Sequence, residues 1–316
     1  MTTRISYSEI NEFLRCNYAW YLRYVMRLQK NQPERALDLG SAVHAGLAEY
    51  FKGGIPFRGI DTWGMTQQDD EEGTIEDTVN KAYQLVPRAI KYMEEHGFYR
   101  SGVDYVEEPF LVDTASEQQY IGVIDLVIKD SDGRTWLWDH KVRGAIQPDD
   151  KEEFNLQALA YGYLLYKQGI DVTGTVTFQI ANDLPNIPSV NKDGTVSRRP
   201  CKTDWPTYRQ TVIDAGQNPV DYVDMQVKLA DTQFFRISRT YRSTYEMQSV
   251  WQTIIERASL QIKNSRADSG FPVRTGYGGI FCTRCWCKDY CLADLRGHDT
   301  KNLIGTEYIV RTERVS

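Results

Sequence analysis

The stretch YIGVIDLVIKDSDGRTWLWDHKV, residues 120–142, consists of two apolar runs on either side of a short polar turn. Runs rich in Val, Ile and Trp with turn residues between them predict a β-hairpin, here with strands over residues 119–129 and 134–142. A three-residue loop with Gly133 in the left-handed conformation places Asp130 opposite Arg134. The same register places Asp125 opposite Asp139.

This hairpin brings two carboxylates and one lysine to the same face. Asp139 and Lys141 are two residues apart, and side chains alternate across a strand, so both point to one side of the sheet. Opposed residues share a face with Cβ atoms roughly 5 Å apart, which adds Asp125 to the group. A divalent cation relieves the repulsion between two carboxylates, and a lysine beside it can activate a water. The alternative is an exposed hairpin with ordinary surface charges, which the surrounding apolar residues disfavour because buried carboxylates must be paired or bind metal.

The remaining periodicity predicts an α/β protein. Helical spacing of apolar residues covers 6–29, 36–51, 74–96, 152–167 and 239–264, and strand-like runs cover 104–112 and 172–181. The helix between the last hairpin strand and the strand over 172–181 implies a parallel pair with a right-handed crossover. Residues 53–73 predict an exposed loop and residues 182–220 a polar excursion. We therefore expect a central mixed β-sheet flanked by helices, in one domain over residues 1–300 with a C-terminal tail over 301–316.

The charge balance limits the classes of partner. The 316-residue chain has a net charge of -6 and a pI of about 5.4. Such a balance excludes a generically basic nucleic-acid binder, so any contact with DNA has to depend on local positive charge. The N-terminal residues contain no apolar signal core, and no stretch is apolar for long enough to cross a bilayer. We expect a cytoplasmic protein with no membrane partner.

Two predicted helices carry further candidate site residues. His44 follows Gly40 by one turn, and the glycine leaves open space beneath the imidazole. This suits a metal ligand or a close backbone approach, although a lone histidine is more often a core or surface residue. Gln157 and Tyr161 are four residues apart and share a helix face. They could contact a DNA backbone or the lysine, or Tyr161 could belong to the core of a helix half-buried on the sheet.

Most of the cysteines are clustered near the C-terminus. Cys282, Cys285 and Cys291 have ligand-like spacing, and Cys16 or Cys287 could supply a fourth thiolate. A reducing compartment argues against a disulfide framework. Sites of four cysteines hold zinc or an iron–sulfur cluster, and the spacing does not separate the two.

In chain order these motifs resemble the RecB-like branch of the PD-(D/E)xK nuclease superfamily, and within it the iron–sulfur-containing exonucleases of the CRISPR-associated adaptation and phage types. The motifs are ISYSEI over 5–10 with Cys16 in the same helix, GSAVH over 40–44, GVID over 122–125, WDHK over 138–141, QALAY over 157–161 and the terminal cysteine triplet. Ile124 stands where the name motif has proline. No Gly-x-x-x-x-Gly-Lys-Ser/Thr loop occurs, so the chain carries no helicase motor.

The resemblance implies a restriction-endonuclease-like core and a catalytic metal centre. Its catalytic residues map to Asp125, Asp139 and Lys141. Its ligands for Mg²⁺ or Mn²⁺ map to His44, Asp125 and Asp139. Its substrate contacts map to Gln157 and Tyr161. A further acidic ligand at Glu107 or Glu108 is compatible with the pattern, but the sequence does not place it.

The resemblance also implies a [4Fe–4S] cluster, with zinc less favoured, that joins the N- and C-terminal segments. Its ligands map to Cys16, Cys282, Cys285 and Cys291, and Cys287 is an additional candidate. The implied activity is a metal-dependent DNA exonuclease, acting alone or as a nuclease subunit in recombination, repair or CRISPR adaptation. Its partners would be DNA, single-stranded or with free ends, and a recombination or CRISPR-adaptation protein. The competing hypothesis is a non-catalytic DNA-binding or scaffold module on the same fold.

Overall fold

The computed structural model describes residues 3–31, 35–67, 74–230, 234–267, 272–276 and 278–311. Its strands are β1 (Arg4–Ser6), β2 (Leu28–Lys30), β3 (Val103–Asp113), β4 (Gln119–Lys129), β5 (Thr135–Arg143), β6 (Gly174–Ala181), β7 (Phe235–Tyr241) and β8 (Tyr308–Val310). Its α-helices are α1 (Tyr7–Arg15), α2 (Asn17–Trp20), α3 (Arg35–Phe51), α4 (Pro56–Thr66), α5 (Thr74–Glu95), α6 (Asp150–Glu153), α7 (Leu156–Lys167), α8 (Trp205–Asp214), α9 (Val223–Lys228), α10 (Thr244–Val250), α11 (Glu256–Ala267) and α12 (Lys288–Leu295). Two π-helical segments, Tyr21–Val25 and Trp251–Ile255, continue α2 and α10.

The β4–β5 hairpin has the predicted register. Leu126 lies opposite Trp138 and Lys129 opposite Thr135. Gly133 has a φ of 79°, the left-handed value that the three-residue loop requires. The next strand, β6, pairs with β5 in parallel, and α6 and α7 form the crossover between them. Both features confirm the prediction of a mixed sheet.

Strand β4 pairs with three other strands of the sheet. One of its edges pairs with β3 in antiparallel fashion along almost its whole length. Its other edge pairs with β1 from Gln119 to Ile121 and with β5 from Leu126 to Lys129. The two partner strands therefore meet β4 at different ends, and the interval between them contains Asp125.

Helices cover both faces of the sheet. Helices α3, α4 and α5 pack over Trp136 and Trp138 of β5 in one apolar core. Helices α1, α7, α10 and the π-helical segment after it pack over Leu137 in a second core. Alternate residues of β5 are thus buried in opposite layers, as the pleat of a strand requires.

The two ends of the described chain are in contact. Strand β2 pairs with β8, and Tyr18, Leu28, Tyr290 and Tyr308 share a third apolar core. Strand β8 lies within residues 301–316, the segment that the sequence assigns to a C-terminal tail.

Three expectations about local structure are wrong. The predicted helix over 6–29 is interrupted at Cys16, whose backbone is extended (φ −162°, ψ 113°), and it ends before β2. The predicted helix over 239–264 begins later, because residues up to Tyr241 belong to β7 and pair with β6. The predicted loop over 53–73 contains α4. Its glycines are sites of close packing, since a Cβ on Gly59 would lie 2.2 Å from the carbonyl oxygen of Ala45; residues 68–73 lie outside the described range.

Candidate active site

Asp125 lies where β4 and β5 separate. Its Oδ2 accepts a hydrogen bond from the backbone N–H of His140 at 2.7 Å. The backbone hydrogen bonding between the two strands ends at Leu126 and Trp138, so the N–H of His140 has no backbone acceptor on β4. The Asp125 carboxylate takes the place of that acceptor. The separation of the strands opens the interior of the sheet at the predicted carboxylate pair.

Helix α3 brings His44 to Asp125. The imidazole Nε2 lies 3.0 Å from the carbonyl oxygen of His140. A carbonyl can only accept, so Nε2 carries a proton and Nδ1 is left as the ligand atom. Nδ1 lies 3.6 Å from Asp125 Oδ2 and 3.8 Å from Glu107 Oε1. A Cβ added to Gly40 would meet no atom within 4 Å, in agreement with the open space predicted one turn before His44.

The sequence suggests Glu107 or Glu108 as a further acidic ligand, and the structure brings Glu107 close to His44 and Asp125. On β3, Val106 lies opposite Leu126 and Glu108 opposite Ile124, so Glu107 lies opposite Asp125. Its φ of 50° is left-handed, which is rare for a residue with a side chain. This local distortion lets the carboxylate approach His44. The only sequence signal for Glu107 is that it is an acidic residue within a predicted strand. The sequence does not show which strand pairs with this one or in which register, so it does not place Glu107 opposite Asp125.

Asp139 and Lys141 form an ion pair beside these groups. Lys141 Nζ lies 2.8 Å from Asp139 Oδ1 and 3.5 Å from Gln157 Oε1 of α7. Tyr161 lies one turn after Gln157 on α7, on the same helix face. A Cβ on Gly122 would lie 2.8 Å from the Tyr161 ring, so the glycine of the GVID motif allows the tyrosine to pack against β4.

The donor set fits a divalent cation. Ligand atoms of His44, Glu107 and Asp125 lie within 4.8 Å of one another. Asp139 Oδ2 is buried and has no hydrogen-bond partner among the described residues, a state that a cation would relieve. Carboxylate oxygens and one imidazole nitrogen are suitable ligands for Mg²⁺ or Mn²⁺. The structure thus brings predicted His44 and Asp125 together with Glu107, while predicted Asp139 is adjacent and paired with Lys141.

The titration of the site reflects its accumulated negative charge. Burial alone would lower the pKa of His44, but the neighbouring carboxylates of Glu107, Asp125 and Asp139 raise it to about 9. Burial raises the pKa of Asp125 to about 7, against the opposing effect of the His44 charge. Without a cation, these carboxylates therefore retain a proton on the histidine.

The cysteines form a second cluster at the joined chain ends. Five of them line one cavity of roughly 340 Å³: Cys16, Cys282, Cys285, Cys287 and Cys291. A Cβ on Gly276 would lie 3.3 Å from Cys16 Cβ and 2.9 Å from the carbonyl oxygen of Arg15, so only glycine fits against this turn. Sγ of Cys285 and Cys287 are 3.5 Å apart. Among the described residues, no three cysteine sulfurs lie within 4.8 Å of one another.

Comparisons with known proteins identify the family of the chain and a structure of similar fold. A profile of the PD-(D/E)XK nuclease superfamily matches residues 4–292. A crystal structure named "Putative exonuclease" from Eubacterium rectale superposes with a TM-score of 0.54 over 92% of each chain, at 12% sequence identity, and is therefore similar in fold. No curated protein sequence matches the chain. In the part of the chain that the structure describes, no helix has both the length and the apolar character needed to cross a bilayer.

The profile match runs from β1 to α12. It includes the hairpin with Asp125, Asp139 and Lys141, the helices that bring His44 and Gln157 to it, and the cysteines at both chain ends. On this match, together with the sheet and the donor set that it spans, the chain belongs to the PD-(D/E)XK nuclease superfamily.

Proposed function

We propose that the protein is a Mg²⁺- or Mn²⁺-dependent deoxyribonuclease that removes nucleotides from DNA ends. The observation that carries the proposal is the position of the Lys141–Asp139 ion pair beside the His44, Glu107 and Asp125 donor set. A phosphodiester bond is hydrolysed when a water attacks phosphorus and the sugar oxygen leaves. The attack needs an oriented water, and both events need positive charge near the phosphate.

Each residue has a distinct part in that reaction. His44, Glu107, Asp125 and Asp139 would hold the ion. When bound, a divalent ion supplies a Lewis acid and a water of lowered pKa. Asp139 Oδ1 at 2.8 Å and Gln157 Oε1 at 3.5 Å fix the Lys141 ammonium, and its third N–H would orient the water and stabilise charge on the phosphate. Gln157 and Tyr161 would position the substrate strand from α7.

The test is a nuclease assay with end-labelled linear DNA and circular DNA, each in Mg²⁺, Mn²⁺ or EDTA. We expect wild-type protein to degrade linear DNA only with metal, and Lys141→Ala to lose at least a hundredfold in rate while it still binds DNA. The matched control is Lys129→Ala, which removes a lysine from the same hairpin that pairs with Asp104 at 3.0 Å. Full activity in Lys141→Ala would exclude the assigned role. Inactivity of folded, metal-loaded wild-type protein would favour a non-catalytic DNA-binding module.

We also propose that the cysteine cavity holds a [4Fe–4S] cluster, bound by Cys16, Cys282, Cys285 and Cys291. At a zinc–sulfur distance of about 2.3 Å, tetrahedral sulfurs lie roughly 3.8 Å apart. The four proposed ligands line a cavity of roughly 340 Å³, and this volume supports an inorganic core of several atoms in place of a single ion. Cys287 is 2% exposed and packs with Tyr18 and Tyr308, which supports a structural role for it and leaves Cys16 as the fourth ligand.

Anaerobic purification tests the cluster. We expect a brown protein that contains iron and sulfide, with iron lost in Cys16→Ala and kept in Cys287→Ala. The reverse result for these two variants would make Cys287 the fourth ligand. A colourless protein with stoichiometric zinc would overturn the iron–sulfur proposal and leave the nuclease proposal intact.

The substrate and setting follow from this proposal. DNA that is single-stranded or has free ends would be the substrate, and a recombination or CRISPR-adaptation protein would be the partner. A cytoplasmic location would keep the cysteines reduced for cluster assembly.

A further inference from the structure

A buried polar network lies next to the site, and its centre is Glu152 of α6. This residue is 4% exposed. Its Oε1 accepts from Arg143 Nη1 at 2.9 Å, and its Oε2 accepts from Thr177 Oγ1 at 2.8 Å. Gln179, which is fully buried, accepts from the same Arg143 nitrogen at 3.2 Å. Burial of a carboxylate or amide is unfavourable unless it is hydrogen-bonded, and here both groups hold one arginine.

Glu152 and Gln179 bind the guanidinium of Arg143 through a single nitrogen, Nη1. Among the described residues, its guanidinium donates from Nη1, and 27% of its side-chain surface is exposed against 5% for Glu152. A guanidinium has five N–H donors in a planar fork that matches phosphate geometry. The edge formed by Nη2 and Nε is therefore available to an external anion. Because the buried partners already fix the side chain, little entropy is lost when the anion binds.

The position of Arg143 relates this edge to the substrate. Arg143 follows Lys141 by two residues on β5 and lies on the same face. Two residues of a strand rise roughly 6.6 Å, which is close to the separation of neighbouring phosphates in an extended nucleic-acid strand. With Lys141 at the scissile phosphate, Arg143 reaches the adjacent one.

We infer that Arg143 binds the DNA phosphate adjacent to the scissile phosphate, and that Glu152 and Gln179 are its positioning residues. The inference rests on the proposed nuclease function and deepens it by assigning a subsite for the substrate backbone. In a chain of net charge -6, affinity for DNA has to come from local cations of this kind.

The experiment compares wild type with Arg143→Gln and Arg143→Lys. The matched control is Arg134→Gln at the other end of β5, where Arg134 pairs with Asp132 on the exposed turn. Cleavage of linear DNA gives KM and kcat, and binding of the same DNA in Ca²⁺ gives Kd over a range of salt. For Arg143→Gln we expect KM and Kd to rise about tenfold, kcat to change less, and the salt slope to fall by about one. Arg143→Lys should recover part of the affinity, and Arg134→Gln should match wild type.

A chemical probe locates the contact. DNA with a single neutral methylphosphonate is placed at successive positions near the cleaved bond. Wild type should lose about tenfold in affinity when the adjacent phosphate is neutralised, and Arg143→Gln should show no further loss at that position. Equal losses in both proteins at every position, or an unchanged Kd and salt slope in Arg143→Gln, would overturn the inference.

A double variant separates loss of the phosphate contact from the structural effect of leaving Glu152 unpaired. Arg143→Gln leaves the Glu152 carboxylate buried without its partner, whereas Arg143→Gln with Glu152→Gln keeps a neutral pair. A double variant that melts like wild type and still has weakened binding supports the phosphate contact; wild-type affinity in that variant contradicts it. If wild type itself neither binds nor cuts DNA, the proposed function fails together with this inference. If wild type cuts and Arg143→Gln equals it, this inference alone fails.

Discussion

Glu107 combines backbone strain with a position among the candidate metal donors. Its φ of 50° costs about 1–2 kcal/mol for an L-residue, and glycine avoids that cost. We therefore expect Glu107→Gly to unfold with a free energy about 1 kcal/mol larger than that of Glu107→Ala. Both variants should bind Mn²⁺ at least tenfold more weakly. Urea titration measures the first quantity and calorimetry the second. Exposed Glu108 supplies the control, since Glu108→Ala should keep wild-type affinity.

Equal stability of the glycine and alanine variants would mean that the Glu107 backbone is not strained. Wild-type Mn²⁺ affinity in both would remove Glu107 from the donor set and leave His44 and Asp125 with Asp139 as the ligands.

The raised pKa of His44 makes metal binding depend on pH. At about 9, this pKa keeps the imidazole protonated in the metal-free protein near neutrality, whereas a ligand histidine is neutral. Binding therefore releases a proton, and the apparent affinity for Mn²⁺ should rise about tenfold per pH unit between about 7, the pKa of Asp125, and about 9, the pKa of His44. Calorimetry in buffers of different ionisation enthalpy counts the protons. Binding without proton release near neutral pH would contradict the assignment of His44 as a ligand.

At the scale of elements, the turn between β4 and β5 sets the register of the hairpin that carries Asp125, Asp139 and Lys141. Gly133 has a φ of 79°, so Gly133→Ala should lower the free energy of unfolding by about 1 kcal/mol. Gly144, just beyond β5, has open space around it and no left-handed φ, so Gly144→Ala is the matched control and should be nearly neutral. Urea unfolding compares the two. Equal stability would show that the turn tolerates a side chain.

At the scale of the whole molecule, the chain ends stabilise each other through the β2–β8 pair and the core around Tyr308, which is fully buried. Tyr308→Ala should lower the free energy of unfolding by about 3 kcal/mol, in the range for loss of a large buried aromatic side chain. Val310 is 53% exposed on the same strand, so Val310→Ala should have little effect. Thermal and urea unfolding of the two variants test this. A small effect of Tyr308→Ala would mean that β8 is not part of the cooperative fold.

The site also depends on the whole molecule, because its residues come from both layers. His44 reaches the hairpin from α3 on one face of the sheet, and Gln157 reaches it from α7 on the other. The separation of β4 and β5 at Asp125 is what lets both sides meet. Mutations that close this gap should therefore impair the site without touching a ligand.

Short-range rules of chain geometry were enough to predict the hairpin and its immediate neighbours from the sequence. The β4–β5 register, the shared face of Asp139 and Lys141, and the parallel β5–β6 pair depend on strand alternation, one turn and one crossover, all of which are local. The open space near His44 was predictable for the same reason, because Gly40 is only one helical turn away.

The meeting of distant residues, by contrast, depends on the folded chain. Glu107 enters the site through a left-handed backbone and the β3–β4 register, and Cys16 joins the C-terminal cysteines because the helix breaks there and packs on Gly276. Strand β7 was missed because β6, which lies far earlier in the chain, provides its pairing. Helix α4 was missed because the close packing of its glycines on α3 has no signal in hydrophobic periodicity. Contacts of this kind depend on long-range burial, which periodicity within a short window does not detect.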